Sequence, residues 1–238
     1  MVSTVRPYVY GDGINRIHWL SSVRHGELHV KEFDLEQAAD LWLMLDLDRS
    51  ANAGPSESAA VETGISAAAS IAVHTLGENR AVGITVTSRR QQHLTPDRGT
   101  RVEQKILNLL ANVQADGQTP LAEVVVATMP QLRRGMTLGI VTGSTNREWV
   151  RAAATLRRRG IGTFVVLLDR FSFEGRDDDE SRAELGAMRH ALAEYDIGYH
   201  LVRAGDDLST VLGRKALGVR GSAIRERTRA WRAPPPRA

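Results

Sequence analysis

Cysteine is absent from all 238 residues, which excludes disulfides, thiolate metal sites and cysteine nucleophiles. A reducing, cytoplasmic setting is the expectation that follows. No apolar run approaches the roughly 20 residues needed to cross a bilayer, and the amino terminus carries no basic-then-apolar signal pattern. The polypeptide is therefore expected to stay in solution. No P-loop and no Gly-x-Ser-x-Gly elbow occurs. No Gly-x-Gly-x-x-Gly follows the first strand of the main domain, so dinucleotide binding is disfavoured.

What is present is ordinary for a globular chain: 42% hydrophobic and 25% charged residues. The formal charge of +3 raises the question of nucleic acid, and its location answers it. Residues 219–238 hold Arg220, Arg225, Arg227, Arg229, Arg232 and Arg237 against Glu226 alone. Without that stretch the 31 Lys and Arg fall to 25 and the 28 Asp and Glu to 27, so the body is close to neutral. The tail reads as a solvated terminus in which Pro234 to Pro236 block further helix, and a nucleic-acid partner is not expected.

The stretch Leu41 to Ser50 organises the chain. Leu41 to Leu45 and Leu47 form a continuous apolar run, the pattern of a strand buried on both faces. Asp46, Asp48 and Ser50 then fall at its carboxyl end, where open α/β sheets bind ligands. Acceptor oxygens at alternate positions suit a hard cation such as Mg²⁺ or another divalent ion. The structural alternative is that Asp46 and Asp48 hydrogen-bond to nearby helix N-termini.

Downstream, Val61, Ile65, Ala68, Ala72 and Leu76 recur at helical spacing ahead of Gly77, and Arg80 to Val86 reads as the next strand, with Gln92-His93-Leu94 continuing through a turn. Thr100-Arg-Val-Glu103 reads as a capping box opening a helix. Thr119-Pro120 starts another, with Leu121, Val124, Val125, Met129 and Leu132 at helical spacing. The strands Thr137 to Thr142, Thr163 to Leu168 and Tyr199 to Val202 alternate with helices. One of these opens on a second capping box, Thr145 to Glu148, and one on the acidic run Asp177 to Glu180, expected to cap it. Asp206 and Asp207 read as caps of a last short helix. Alternation of this kind implies a Rossmann-like parallel sheet with helices on both faces over residues 38–213. Before it, residues 1–37 read as a β segment with turns at Gly11-Asp12-Gly13 and Gly26, pairing the Ile17–Trp19 piece with Leu28, Val30 and Phe33. Residues 214–238 form the basic tail.

Asp46-x-Asp48-x-Ser50 at a first strand's end, followed by an Ala-rich helix, resembles the metal-ion-dependent adhesion site of von Willebrand factor A domains. In that family the motif is Asp-x-Ser-x-Ser, completed by a later threonine and an aspartate after a subsequent strand. The resemblance implies Asp46, Asp48, Ser50 and Thr100 as ligands. Thr100 has two competing uses here, as helix N-cap or as ligand. Two departures stand out: the middle serine is Asp48, and Gly143-Ser144 stands where the later aspartate is expected. The amino-terminal stretch carries a longer pattern: Arg6, Tyr8, Gly11, Asp12, Arg16, Trp19, Ser22 and Arg24, running into Gly26-Glu27-Leu28. It resembles the signature of the domain of unknown function 58 family, with Leu20 in place of the usual lysine. Longer members carry membrane helices, so the chain reads as a short member or as the carboxyl-terminal part of one.

The family resemblance implies a non-enzymatic adaptor or assembly factor that binds a protein partner, a MoxR-type AAA+ ATPase or its client, with a membrane involved only through a missing amino-terminal region. The competing reading is a metal-dependent phosphohydrolase using Asp46 and Asp48, for which Asp169 would supply a further acid. His25-Gly-Glu-Leu-His29 resembles a zinc-protease signature, but its glutamate is displaced by a glycine and it lies in a β segment.

Overall fold

Leu41, Leu43 and Leu45 point into one apolar cluster and Trp42 and Met44 into another, so the strand they form is buried on both faces. That division builds the main domain. The computed structural model describes residues 4–7, 22–24, 26–32, 39–52 and 57–213, with backbone alone for 4–7, 29–32, 50, 57 and 58. It divides into two units, Met1–Ala39 and Asp40–Ala238.

In the first unit, β1 (Thr4–Pro7) pairs antiparallel with β2 (His29–Glu32), Thr4 opposite Glu32 and Pro7 opposite His29. Among the described residues β2 thus pairs with Thr4–Pro7. The expected Ile17–Trp19 partner lies outside the described residues.

The second unit contains β3 (Leu41–Leu45), α1 (Arg49–Asn52), α2 (Glu57–Gly77), β4 (Val82–Val86), β5 (Gln92–Asp97) and α3 (Thr100–Leu110). There follow α4 (Leu121–Thr128), β6 (Thr137–Thr142), α5 (Glu148–Arg158), β7 (Gly162–Leu168), α6 (Arg170–Phe173), α7 (Asp179–Glu194), β8 (Gly198–Val202) and α8 (Leu208–Gly213). The strand order is β5-β4-β3-β6-β7-β8. All neighbours are parallel except β5, which runs antiparallel to β4. The expectation of a parallel sheet is corrected at that edge. Residues 87–91 are too few for a crossover, which takes a dozen or more residues, so the chain reverses directly.

Helices α2 and α3 cover one face, with Ala67, Ala68, Ile71, Val102 and Ile106 against Leu43, Ile84 and Val166. Helices α4, α5 and α7 cover the other, with Val125, Trp149, Leu156, Met188 and Leu192 around Trp42, Ile140 and Val165. Within α2, Ala59–Gly77 is long and apolar enough to cross a membrane by length and composition, yet half of it is buried within the fold. Gly64 allows close approach, since a Cβ there would stand 3.1 Å from Leu168 Cδ1. Between β3 and β4, Trp42 Nε1 donates to Thr85 Oγ1 at 2.9 Å with both residues buried. Thr85→Val is expected to cost about 2 kcal/mol in urea unfolding, because the indole N–H would lose its acceptor inside the core.

Neither expected capping box forms. The N-cap of α3 is Gly99, with Thr100 already helical, and α5 starts after Arg147 without a side-chain cap. The Thr145 hydroxyl is instead drawn to Glu184 Oε1 of α7. A tertiary carboxylate has outcompeted the local N–H groups. The acidic run behaves as expected: Asp178 caps α7, accepting from the Ser181 N–H at 2.7 Å.

Candidate functional site

Asp46 leaves β3 at its carboxyl end and is 2% exposed. Its Oδ2 accepts from Thr142 Oγ1 at 2.7 Å, and its Oδ1 accepts from the Asp48 N–H and from Thr87 Oγ1, each at 3.2 Å. Thr142 ends β6 and Thr87 follows β4, so one carboxylate ties the ends of the three central strands. The Thr142 hydroxyl also accepts from the Ser144 N–H at 2.9 Å, which leaves its own proton for Asp46. Thr87 Oγ1 likewise accepts from the Leu47 N–H at 2.7 Å. Burial pushes the Asp46 carboxyl from 3.8 up to about 6, and the donors from Thr142, Asp48 and Thr87 pull against that rise. Among the described residues these three donors occupy three of the carboxylate's roughly four lone-pair sites.

Asp48 follows, 8% exposed, and bridges in parallel fashion to Gly117: the Gly117 N–H donates to Leu47 O and the Arg49 N–H to Gly117 O, both at 3.0 Å. Asn52 Nδ2 donates to Asp46 O at 3.1 Å and Asp48 O at 2.8 Å, fixing the turn into α1 from beneath. Gly117 has no room for a side chain, since a Cβ would stand 1.8 Å from Thr87 O. The segment after it runs past the two aspartates. Between them lies a cavity of about 110 Å³, walled by Asp46, Asp48, Pro120, Leu121, Ser144 and Trp149 among others. Trp149 is 1% exposed, and its indole Nε1–H has no acceptor among the described residues. A buried donor of this kind calls for an oxygen from water or a ligand.

The residues expected as ligands do not all meet. Asp46 and Asp48 share the cavity, and Ser50 lies in α1 with its side chain outside the described atoms. Thr100 stands at the other end of the sheet. Because β5 is antiparallel, its last residue Asp97 sits opposite Val82, the first of β4, and Thr100 follows there; Arg98 nearby pairs with Asp40, just before β3. The loop that does reach Asp48 is the one holding Gly117, Thr119 and Pro120. Asp169, the further acid of the phosphohydrolase reading, caps α6 through the Ser172 N–H and meets Arg203 Nε at 3.3 Å. Asp207 caps α8 as expected, through the Thr210 N–H, whereas Asp206 accepts from the Arg203 N–H. Of the amino-terminal signature, Ser22 is buried, Arg24 is exposed and Arg6 lies in β1; Tyr8, Gly11, Asp12, Arg16 and Trp19 lie outside the described residues, as does the arginine tail.

Thr87, Thr142, Asn52 and Gly117 were not singled out by sequence. For the two threonines a signal existed, a hydroxyl at the carboxyl end of each strand flanking β3. For Gly117 none did, because its role depends on a contact with Thr87 thirty residues away in the chain. As a cation site the donors are all oxygen, which suits a hard ion, and two carboxylates are what Mg²⁺ commonly takes beside water. Among the described residues no group of three or more His, Cys, Asp or Glu gathers to hold a metal.

A six-stranded sheet with one antiparallel edge, helices on both faces and a polar cluster at the carboxyl end of its central strand defines a von Willebrand A-like α/β domain. Residues 4–173 match the family described as protein of unknown function DUF58, and the chain belongs to that family. Uncharacterised proteins of Mycobacterium tuberculosis and Mycobacterium bovis are 22% identical over 169 residues, covering 69% of this chain and 53% of theirs. The chain thus spans about half the length of these relatives. The pilus adhesin SpaC from Lactobacillus rhamnosus GG shares the fold with a TM-score of 0.50 and 11% identity, over 71% of this chain and 28% of SpaC. A von Willebrand factor type A protein from Catenulispora acidiphila is similar over 73% of this chain and 40% of its own, with a TM-score of 0.45 and 11% identity.

Proposed function

We propose that this domain is a non-enzymatic protein-binding module whose partner docks at the carboxyl end of the sheet, over Asp46 and Asp48. The observation that carries this reading is the cavity itself. Two buried aspartates line it together with Trp149, whose indole N–H lacks an acceptor among the described residues. A divalent cation such as Mg²⁺, held by Asp46 and Asp48, with Ser50 as the adhesion-site resemblance implies, would supply an open coordination position for a partner's carboxylate. Asn52 and Gly117 hold the turn that presents Asp48, and Thr142 and Thr87 orient Asp46. The family resemblance supports a MoxR-type AAA+ ATPase or its client as the partner. A phosphohydrolase finds no support from Asp169, whose carboxylate is engaged by the start of α6 and by Arg203.

Thermal unfolding with millimolar Mg²⁺, Mn²⁺ or Ca²⁺ tests the cation. An ion that binds only the folded state stabilises it by about 2.7 kcal/mol at a hundredfold excess over Kd. The expected result is a raised midpoint in the wild type and none in Asp48→Ala. Co-purification with a MoxR-type ATPase, dependent on the ion and on Asp48, tests the partner; equal recovery with Asp48→Ala would place docking elsewhere.

A further inference from the structure

The opposite end of the sheet carries a second surface. Arg133-Arg134-Gly135 leads into β6 and Arg157-Arg158-Arg159-Gly160 into β7. Parallel pairing of the two strands sets these turns side by side, joined by the Gly135 N–H donating to Gly160 O at 3.1 Å and the Gly162 N–H to Met136 O at 2.9 Å. Both glycines hold positive φ, 89° and 78°, so the two turns reverse in the same manner. The Arg134 side chain runs across the second turn, its Cγ 3.0 Å from where a Gly160 Cβ would be. Arg157 is anchored, donating to Tyr195 O and pairing with Asp196 at 2.9 Å. Arg133, Arg134, Arg158 and Arg159 are exposed, and among the described residues none of them forms an ion pair. Beside them opens a shallow groove of about 460 Å³, walled by Ala154, Arg157, Arg158 and Tyr195.

We infer that this end of the domain is a docking surface for an acidic, extended segment of a protein partner. Neighbouring strands lie about 4.8 Å apart, so parallel pairing presents the guanidinium forks of the two turns together to a single acidic segment. Arginine pairs with a carboxylate through two parallel hydrogen bonds. The groove beside Ala154 and the Tyr195 ring gives an apolar residue of such a segment a place to rest. Nucleic acid fits less well. Outside the tail the chain holds 25 Lys and Arg against 27 Asp and Glu, so the body offers a phosphate backbone no net positive field.

Fluorescence anisotropy on the full chain, with a labelled peptide of alternating Glu and Leu, tests this. The wild type should bind at low salt and more weakly as salt rises. Arg134→Glu with Arg158→Glu should weaken binding at least about tenfold without lowering the unfolding midpoint, and Arg134→Gln with Arg158→Gln should weaken it less. Arg101→Glu with Lys105→Glu, on exposed positions of α3, should leave it unchanged. The arginine tail is present in every variant and so cannot account for a difference among them. The inference is overturned if the peptide does not bind, if the α3 pair lowers affinity equally, or if the double glutamate variant binds as tightly as the wild type. It is also overturned if labelled single-stranded DNA or phosphatidylserine vesicles bind through Arg134 and Arg158 more tightly than the peptide.

Discussion

Gly117→Ala is expected to lower stability by about 3 kcal/mol in urea unfolding, the upper end of what overpacking usually costs. The added Cβ would lie 1.8 Å from Thr87 O and 2.9 Å from Leu47 O, and both obstacles are backbone of the sheet, which cannot swing aside. The loop must move away instead. It would then give up the Gly117 N–H to Leu47 O bond and the Arg49 N–H to Gly117 O bond that bracket Asp48. Any midpoint shift produced by Mg²⁺ should therefore vanish with the stability. Gly143→Ala provides the contrast: its Cβ would meet Ala51 O at 3.2 Å, a contact relieved by a few tenths of an ångström, so a smaller loss with the cation response retained is expected. Equal losses for the two variants would mean that the bridge at Asp48 is not what organises this end of the sheet.

The second large effect is on the pH dependence of stability. With its carboxyl raised from 3.8 to about 6, Asp46 binds a proton more tightly in the folded than in the unfolded chain. Stability from this group is fully present below about pH 4 and is lost as pH rises through about 6, amounting to on the order of 3 kcal/mol. The measurement is urea unfolding of wild type and Asp46→Asn between pH 4 and 8. The difference between them should shift against the wild type across that window and flatten above it, whereas a constant difference would show that Asp46 is not perturbed. Thr142→Val should move the window upward, because it removes the closest donor to the carboxylate at 2.7 Å. A divalent ion acts in the other direction. It must displace the proton, so its stabilisation should be larger at pH 7.5 than at pH 5.

Much of the domain can be read directly from local pattern. The run Leu41 to Leu45 identifies the central strand because two buried faces leave no position for a polar residue, and both faces are indeed filled. Asp178 could be assigned as a cap because its donor, the Ser181 N–H, is only three residues away. Where the sequence misleads, the competing partner is distant. Thr145 has N–H groups within reach along the chain, yet its hydroxyl goes to Glu184 on another helix. Thr100 resembles a ligand by its place in the order of elements, and loses that position because the reversal into β5 carries it to the far end of the sheet.

The sequence by itself determined the alternation of elements, the buried central strand, the family pattern in residues 6–24 and the presence of two aspartates at a strand's end. Those features depend on side-chain period and short-range hydrogen bonding, which neighbouring residues are sufficient to specify. Only the tertiary structure decided what surrounds the aspartates. Thr87 and Thr142 reach Asp46 across 41 and 96 residues of chain, and Gly117 closes on Asp48 because Thr87 O leaves no room for a Cβ. Parallel strand pairing also set two separate arginine turns side by side. Contacts of this range are fixed by strand order and direction, and both depend on how the whole sheet assembles.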